Sequence, residues 1–200
     1  MNRCGGERFF RVGRALRFLG SLSPSAEYDQ KSGIFNVLSF LRPANPANEA
    51  ERQAAVDRYG AAKKRSRAAD ALVAEAATLF DAKFGIATII DREKMIVTSR
   101  YRSDLDEIDR AISFCGHTIL NPDNVMVIFN AGLDRRFAGN PLVRGEPRIA
   151  FYVGAPLIAP TGEVLGALCA IDTLPRAQLL PQARTELQTL ASRVTDALLG

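Results

Sequence analysis

Residues 149–172 read IAFYVGAPLIAPTGEVLGALCAID and contain two long apolar runs on either side of a short turn. The runs, 149–158 and 164–171, have the length of buried strands. Between them, Pro160 and Gly162 occupy the second and fourth positions of a type I turn. The stretch therefore predicts a β-hairpin. Gly154 and Gly166 lie inside its strands and predict a bulge or a close approach to the backbone.

Segments with helical periodicity lie on both sides of this hairpin. The C-terminal segment has an apolar seam that can pack on a sheet or pair with a copy of itself. Its members are Leu187, Leu190, Ala191, Val194 and Leu198. Upstream, Asn48 is a predicted N-cap for a helix that runs to Tyr59. A second helix is predicted to continue to Phe84 and to end at Gly85.

The remaining segments complete an α+β domain with an antiparallel sheet. We expect a hairpin at 86–90 and 95–98, an acidic loop at 103–109, a short helix at 113–120 capped by Ser113, a strand at 125–128 and a long loop at 129–147. The predicted fold thus has about five strands, connected mainly by hairpins, and helices at both ends.

Composition limits the class of protein. The chain has 200 residues, of which 47% are hydrophobic and 24% charged, as in an ordinary globular domain. Polar residues interrupt every apolar run before 18 residues, so no spanning helix is expected. Three cysteines and one histidine are too few for a disulfide framework or a common transition-metal site. We therefore expect a reduced, cytoplasmic protein without a metal.

The net charge of +4 comes from the N-terminal segment. Residues 1–44 hold seven basic and three acidic residues, whereas the other 156 residues hold 19 of each. We expect 1–44 to be a basic tail or linker and 45–200 to be the folded domain. Residues 8–19 could form a basic amphipathic helix for peripheral membrane contact, or a mobile tail. The balanced charge of the domain argues against nucleic-acid binding.

Four blocks in one order resemble the GAF domain, in the subgroup found in bacterial sensor and signalling proteins. The blocks are 113–119 (SFCGHTI), 134–141 (DRRFAGNP), 151–157 (FYVGAPL) and 165–172 (LGALCAID). The resemblance implies a six-stranded antiparallel sheet between helices. It also implies a small-molecule pocket and a role as the input module of a signalling enzyme.

Candidate ligand-binding residues follow from this resemblance. They are Phe114, Cys115, His117, Asp134, Arg148, Phe151 and Tyr152. His117 could donate to a ligand, and Cys115 could sense oxidants; both could equally be structural groups. Phe151 and Tyr152 alternate along a strand, so at most one of them faces a pocket. Asp134 and Arg148 would form a polar rim, or a solvated loop.

These observations predict a stand-alone sensor domain that binds an unknown small molecule. The domain is expected to form a homodimer through its end helices and to signal through a separate output protein. One alternative is a dimerisation or interaction module without a ligand. A second is a thiol enzyme similar to free methionine sulfoxide reductase. No catalytic residue is assigned, because the chain lacks a nucleophile elbow and a phosphate-binding loop, and an enzyme is not expected.

Overall fold

The computed structural model describes residues 39–200, and within them the chain forms a six-stranded antiparallel sheet. The strands are β1 (Phe84–Asp91), β2 (Lys94–Tyr101), β3 (Glu107–Asp109), β4 (Met126–Ile128), β5 (Phe151–Ile158) and β6 (Val164–Asp172). Their order is β3-β2-β1-β6-β5-β4. The predicted α+β class is confirmed. The predicted membrane-contacting stretch at 8–19 and most of the predicted tail lie outside the described residues.

Helices cover both faces of the sheet. They are α1 (Glu49–Tyr59), α2 (Arg67–Leu79), α3 (Phe114–Thr118), α4 (Pro141–Arg144) and α5 (Ala183–Leu199). α1, α2 and α5 share one apolar core with the sheet, which we call the helical core. α3 and α4 share a second core with the other face, which we call the loop core. The apolar seam of α5 is buried against α2 and β5. Of the two predicted alternatives, packing within the domain is therefore the one observed.

The predicted central hairpin is confirmed as β5 and β6. Its turn is closed by the Gly162 amide, which donates to the Ala159 carbonyl at 2.8 Å. Phe151 and Tyr152 are both fully buried and lie in different cores, as strand alternation requires. The hairpin therefore contributes side chains to both cores.

Two boundaries predicted from the sequence are wrong. The second helix ends at Leu79, and Phe84 and Gly85 belong to β1. Phe80 and Phe84 match the helical spacing because both are buried, but they are buried from different elements. The acidic segment expected to be a loop contains β3, which pairs with β2. A three-residue edge strand depends on its partner and has no periodicity of its own.

A partly buried ion cluster attaches α1 to the sheet. Glu49 accepts from Arg52 Nε at 2.8 Å and from Arg110 Nη1 at 2.5 Å. Arg52 is 1% exposed and also donates to the Ile90 carbonyl at 2.7 Å. Partial burial raises the pKa of Glu49, but hydrogen bonds from the two guanidinium groups outweigh it and lower the pKa to about 2. One carboxylate thus serves as the shared counter-charge of two buried guanidinium groups.

Glu49→Gln should destabilise the domain at neutral pH by about 3 kcal/mol, because it leaves two buried guanidinium groups without a counter-charge. The native Glu49 pKa lies below its usual value of 4.5, so the stabilisation is complete above that value and is lost as pH falls towards 2. Urea unfolding at several pH values measures this. The difference in unfolding free energy between the native protein and Glu49→Gln should decrease as the pH falls through that range. Glu51→Gln, on the exposed side of α1, should change the unfolding free energy little at any pH. A difference in unfolding free energy that does not depend on pH would contradict the assignment of Glu49 as the counter-charge of Arg52 and Arg110.

Gly166 allows β1 and β6 to approach closely. A Cβ at this position would overlap the carbonyl oxygen of Thr88, at the β-bulge between Ala87 and Thr88. Both strands are in the centre of the sheet, so neither backbone can move away without disturbing its other partner.

Gly166→Ala should therefore reduce the free energy of unfolding by about 3 kcal/mol or more, as expected for an overpacked core. Gly132→Ala is the matched control, because Gly132 is exposed and its nearest neighbour would be a side-chain oxygen at 3.3 Å. The control should stay within about 0.5 kcal/mol of the native protein. Equal urea midpoints for the two variants would show that the strands are not in close contact at Gly166.

Candidate functional site

α3 is a five-residue helix held over the sheet by its N-cap and by aromatic stacking. Ser113 Oγ accepts from the Gly116 amide at 3.0 Å, which satisfies one of the free amides of the first turn. Phe114 stacks on Phe137, with ring centroids 4.0 Å apart and ring planes within 7°. The loop that carries Phe137 thus fixes the position of α3. The predicted cap is confirmed.

A cavity of about 40 Å³ lies between α3, the loop around α4 and the loop core of the sheet. Its lining is almost wholly apolar and contains no charged side chain. The lining residues are Phe84, Ile86, Met95, Ser103, Leu105, Ile108, Phe114, Cys115, Leu142, Pro147, Ile149, Tyr152 and Ile171. Sites for drug-sized ligands have volumes of roughly 300 to 1,000 Å³. This cavity is therefore suited to a very small molecule.

The polar groups beside the cavity form one connected set. The Tyr152 hydroxyl lies 2.7 Å from Thr118 Oγ1 and 3.5 Å from Cys115 Sγ. Cys115 Sγ lies 3.7 Å from Cys169 Sγ, and the Cys169 thiol can donate its one proton either to Cys115 Sγ or to the Ile86 carbonyl at 3.5 Å. Since all four polar side chains are buried, these contacts replace their lost hydration.

The pKa values of these groups shift in different directions. Burial raises the pKa of Tyr152 and of Cys169 well above their usual values, because it disfavours the charged form. The pKa of Cys115 is lowered, first by the hydrogen bond from the Cys169 thiol and against the effect of burial. Of the two thiols, Cys115 is thus the one that ionises more readily.

An extended segment, residues 39–46, crosses the outer side of α3 and leads to α1; we call it the strap. His117 Nε2 donates to the Leu41 carbonyl at 3.0 Å, and the Leu41 amide donates to the Arg136 carbonyl at 2.9 Å. A Cβ at Gly116 would lie 2.7 Å from Pro43 Cγ, so the strap packs directly on the backbone of α3. Burial lowers the pKa of His117.

The structure brings only some of the predicted site residues together. Phe114, Cys115 and Tyr152 line the cavity, whereas four others lie outside its lining. Phe151 is in the helical core, and His117 contacts the strap.

The predicted polar rim is not assembled at the cavity. Asp134 pairs with Arg136 at 2.8 Å, and Arg148 is exposed in a left-handed backbone conformation. Sequence reasoning missed most lining residues, such as Met95, because an apolar residue at a cavity has the same pattern as one in a filled core.

The same order of elements occurs in a known family. The family model described as GAF domain matches residues 64–198 of this chain. The chain belongs to the GAF domain family. The resemblance of the four sequence blocks is thereby confirmed.

Comparisons with individual proteins place this GAF domain beside signalling proteins. It is 37% identical over 138 residues to a cyclic di-GMP phosphodiesterase of Pseudomonas aeruginosa, a match that covers 68% of this chain and 23% of that protein. The chain thus spans about a quarter of the length of that curated relative.

Solved structures share the fold at low sequence identity. The GAF domain of a phosphoenolpyruvate-protein phosphotransferase from Coxiella burnetii superposes with a TM-score of 0.54 at 16% identity, covering 77% of this chain and 94% of that one. A free methionine-R-sulfoxide reductase from Thermoplasma acidophilum gives 0.50 at 12% identity, covering 65% and 92%.

In residues 39–200, no helix has the length and apolar composition needed to cross a membrane. Within the same residues, no three His, Cys, Asp or Glu side chains converge as a metal site would require.

Tyr152→Phe tests the polar set under α3. Loss of the hydroxyl removes its contacts with Thr118 and Cys115 in a buried environment, and should cost about 1 to 2 kcal/mol of unfolding free energy. Tyr59→Phe is the control, because the Tyr59 hydroxyl bonds to Thr161 at the exposed surface. Urea unfolding should place the control within about 0.5 kcal/mol of the native protein. Equal losses in the two variants would argue against a buried hydrogen-bonded set.

Proposed function

We propose that this chain is a regulatory sensor domain that binds a small, uncharged molecule in the cavity under α3 and signals through an output protein. The observation that carries the proposal is an apolar cavity whose roof, α3, is also in contact with the strap. A molecule in the cavity would therefore touch an element that connects to the helical side of the domain.

The size and chemistry of the cavity define the class of ligand. About 40 Å³ admits a few atoms, so a cyclic nucleotide or a tetrapyrrole would require a large movement of the loop around α4. A charged ligand would lose its hydration without a counter-charge in the lining, which is costly. Free methionine sulfoxide is a zwitterion and is disfavoured on both grounds. This argues against the thiol-reductase alternative, although the fold is similar to such an enzyme.

Signal transfer would proceed from α3 through the strap to α1. His117 and Gly116 on α3 contact the strap, and the strap continues into the helix that carries Glu49. A ligand can shift this system only by binding one arrangement of α3 more tightly than another. A homodimer would use surfaces other than the apolar seam of α5, since that seam is filled within one chain.

The signalling context is proposed from the phosphodiesterase relative. That protein is named for the hydrolysis of cyclic di-GMP, and the part similar to this chain is a minor fraction of its length. A cytoplasmic output protein that acts on cyclic di-GMP is therefore the first partner to test.

One observation favours the alternative of an interaction module without a ligand. The cavity is small enough to be a packing defect, and its neighbour Phe137 is fully buried and stacked. In that case the domain would act only through contacts that its surface makes with other proteins.

Xenon is a suitable probe because it is small, uncharged and polarisable. In amide NMR spectra of the full chain under xenon pressure, the amide signals of residues lining the cavity should shift, and those of the strap should shift as well. Leu105→Phe, which fills the cavity, should abolish the shifts; Leu174→Phe, at a position 65% exposed, should retain them. Native mass spectrometry of the same protein would show any co-purified ligand. Absence of xenon shifts in the lining would favour the interaction module.

A further inference from the structure

Two thiols from distant parts of the chain meet beneath α3. Cys115 lies on α3 and Cys169 on the central strand β6, 54 positions apart, yet their sulfur atoms are separated by 3.7 Å. A disulfide has a sulfur–sulfur distance of about 2.05 Å, so a displacement of less than 2 Å would bring the atoms to bonding distance. The fold therefore brings together a pair of cysteines that sequence spacing does not indicate.

The two thiols differ in access. Both thiols are buried, with Cys115 1% and Cys169 0% exposed, but Cys115 lines the cavity and Cys169 does not. A water molecule needs roughly 10 to 15 Å³ of such a cavity, so about 40 Å³ holds a molecule the size of hydrogen peroxide next to Cys115. Larger thiol reagents are excluded by the same walls.

The two thiols also differ in reactivity. Cys115 Sγ lies within hydrogen-bonding distance of the Cys169 thiol and of the Tyr152 hydroxyl, and its pKa is lowered, whereas burial raises the pKa of Cys169. The thiolate is the reactive form of cysteine. Cys115 is therefore placed to react with an oxidant, and Cys169 to resolve the product.

We infer that Cys115 and Cys169 are a redox-active pair that a small hydroperoxide converts into an intramolecular disulfide linking α3 to β6. This modification site goes beyond the proposed ligand sensing and does not depend on it, since the oxidant reacts and leaves as water.

The reaction is a two-step oxidation of two thiols by one peroxide. The Cys115 thiolate attacks one peroxide oxygen, so that a sulfur–oxygen bond forms, the oxygen–oxygen bond breaks and hydroxide leaves. The proton lost earlier by Cys115 converts this hydroxide to water. The Cys169 sulfur then attacks the Cys115 sulfenic acid, the sulfur–sulfur bond forms, and the departing hydroxide takes the Cys169 proton. Two thiols and hydrogen peroxide thus give one disulfide and two waters.

The new bond would act on the same element as the cavity. A bond between the two sulfur atoms would draw α3 towards β6, and the outer side of α3 carries the strap. Oxidation and cavity occupancy would thus change the position of one helix by different routes.

The first experiment uses the full chain with Cys4→Ser, which leaves only Cys115 and Cys169 as thiols. After treatment with excess hydrogen peroxide, remaining thiols are alkylated in denaturant and the intact mass is measured. The expected product has lost two hydrogens, gains no alkyl group, stays monomeric on a non-reducing gel and returns to the starting mass with dithiothreitol. Recovery of two alkylated cysteines after oxidation would overturn the proposal.

A second experiment separates the folded geometry from ordinary thiol oxidation. If the cysteines are merely buried, peroxide should oxidise them faster in urea than in the folded protein. The proposal requires the opposite order, because the fold provides both the nearby partner and the more acidic thiol. Faster disulfide formation in urea would overturn it, and this comparison needs no variant at either cysteine.

Single variants then assign the roles. In Cys169→Ser the sulfenic acid at Cys115 should persist, and dimedone added together with urea after the peroxide is removed should trap it, whereas Cys115→Ser should show little labelling, because Cys169 does not reach the cavity. Circular dichroism confirms that each variant is folded. Equal labelling of the two variants would reject the assignment of Cys115 as the attacking thiol.

Discussion

The rest of the structure depends on the burial of β6 on both faces. This strand pairs with β1 on one side and with β5 on the other, and its side chains alternate between the helical core and the loop core. Because neither face meets water, helices must cover one face, and α3 with the long loop must cover the other. Gly166 lets the neighbouring strand approach, and Cys169 brings a thiol to the centre of the loop core.

Local sequence rules predicted the elements whose structure depends on residues close to one another in the chain. The β5–β6 hairpin, the amphipathic α5 and the Ser113 cap follow from turn residues, helical spacing and a side-chain acceptor, which act within a few positions. The end of α2 and the existence of β3 could not be predicted in this way, because tertiary pairing decides them. Phe80 and Phe84 are both buried and fit a helix, but only the pairing of β1 shows where the helix stops.

The candidate site was less predictable than the fold, because it is assembled from distant segments. The resemblance to GAF domains pointed to Phe114, Cys115 and Tyr152, which do line the cavity. It could not show that His117 would donate its hydrogen bond to the Leu41 carbonyl. Nor could it show that Cys169 would lie beside Cys115, since a cysteine in an apolar strand has the pattern of a small core residue.

α3 is the element at which these features converge, and its length explains why. A helix of five residues is not stable by itself, because helix nucleation is costly and few hydrogen bonds offset it. Its position is therefore set by contacts: the stacked ring of Phe137 within the loop core, the strap outside, and the thiol of Cys169 below. Close-packed contacts of this kind favour discrete arrangements over continuous deformation. A change at any one of these contacts must then be accommodated at the other two, which is the route by which we propose that an event under α3 reaches the strap and α1.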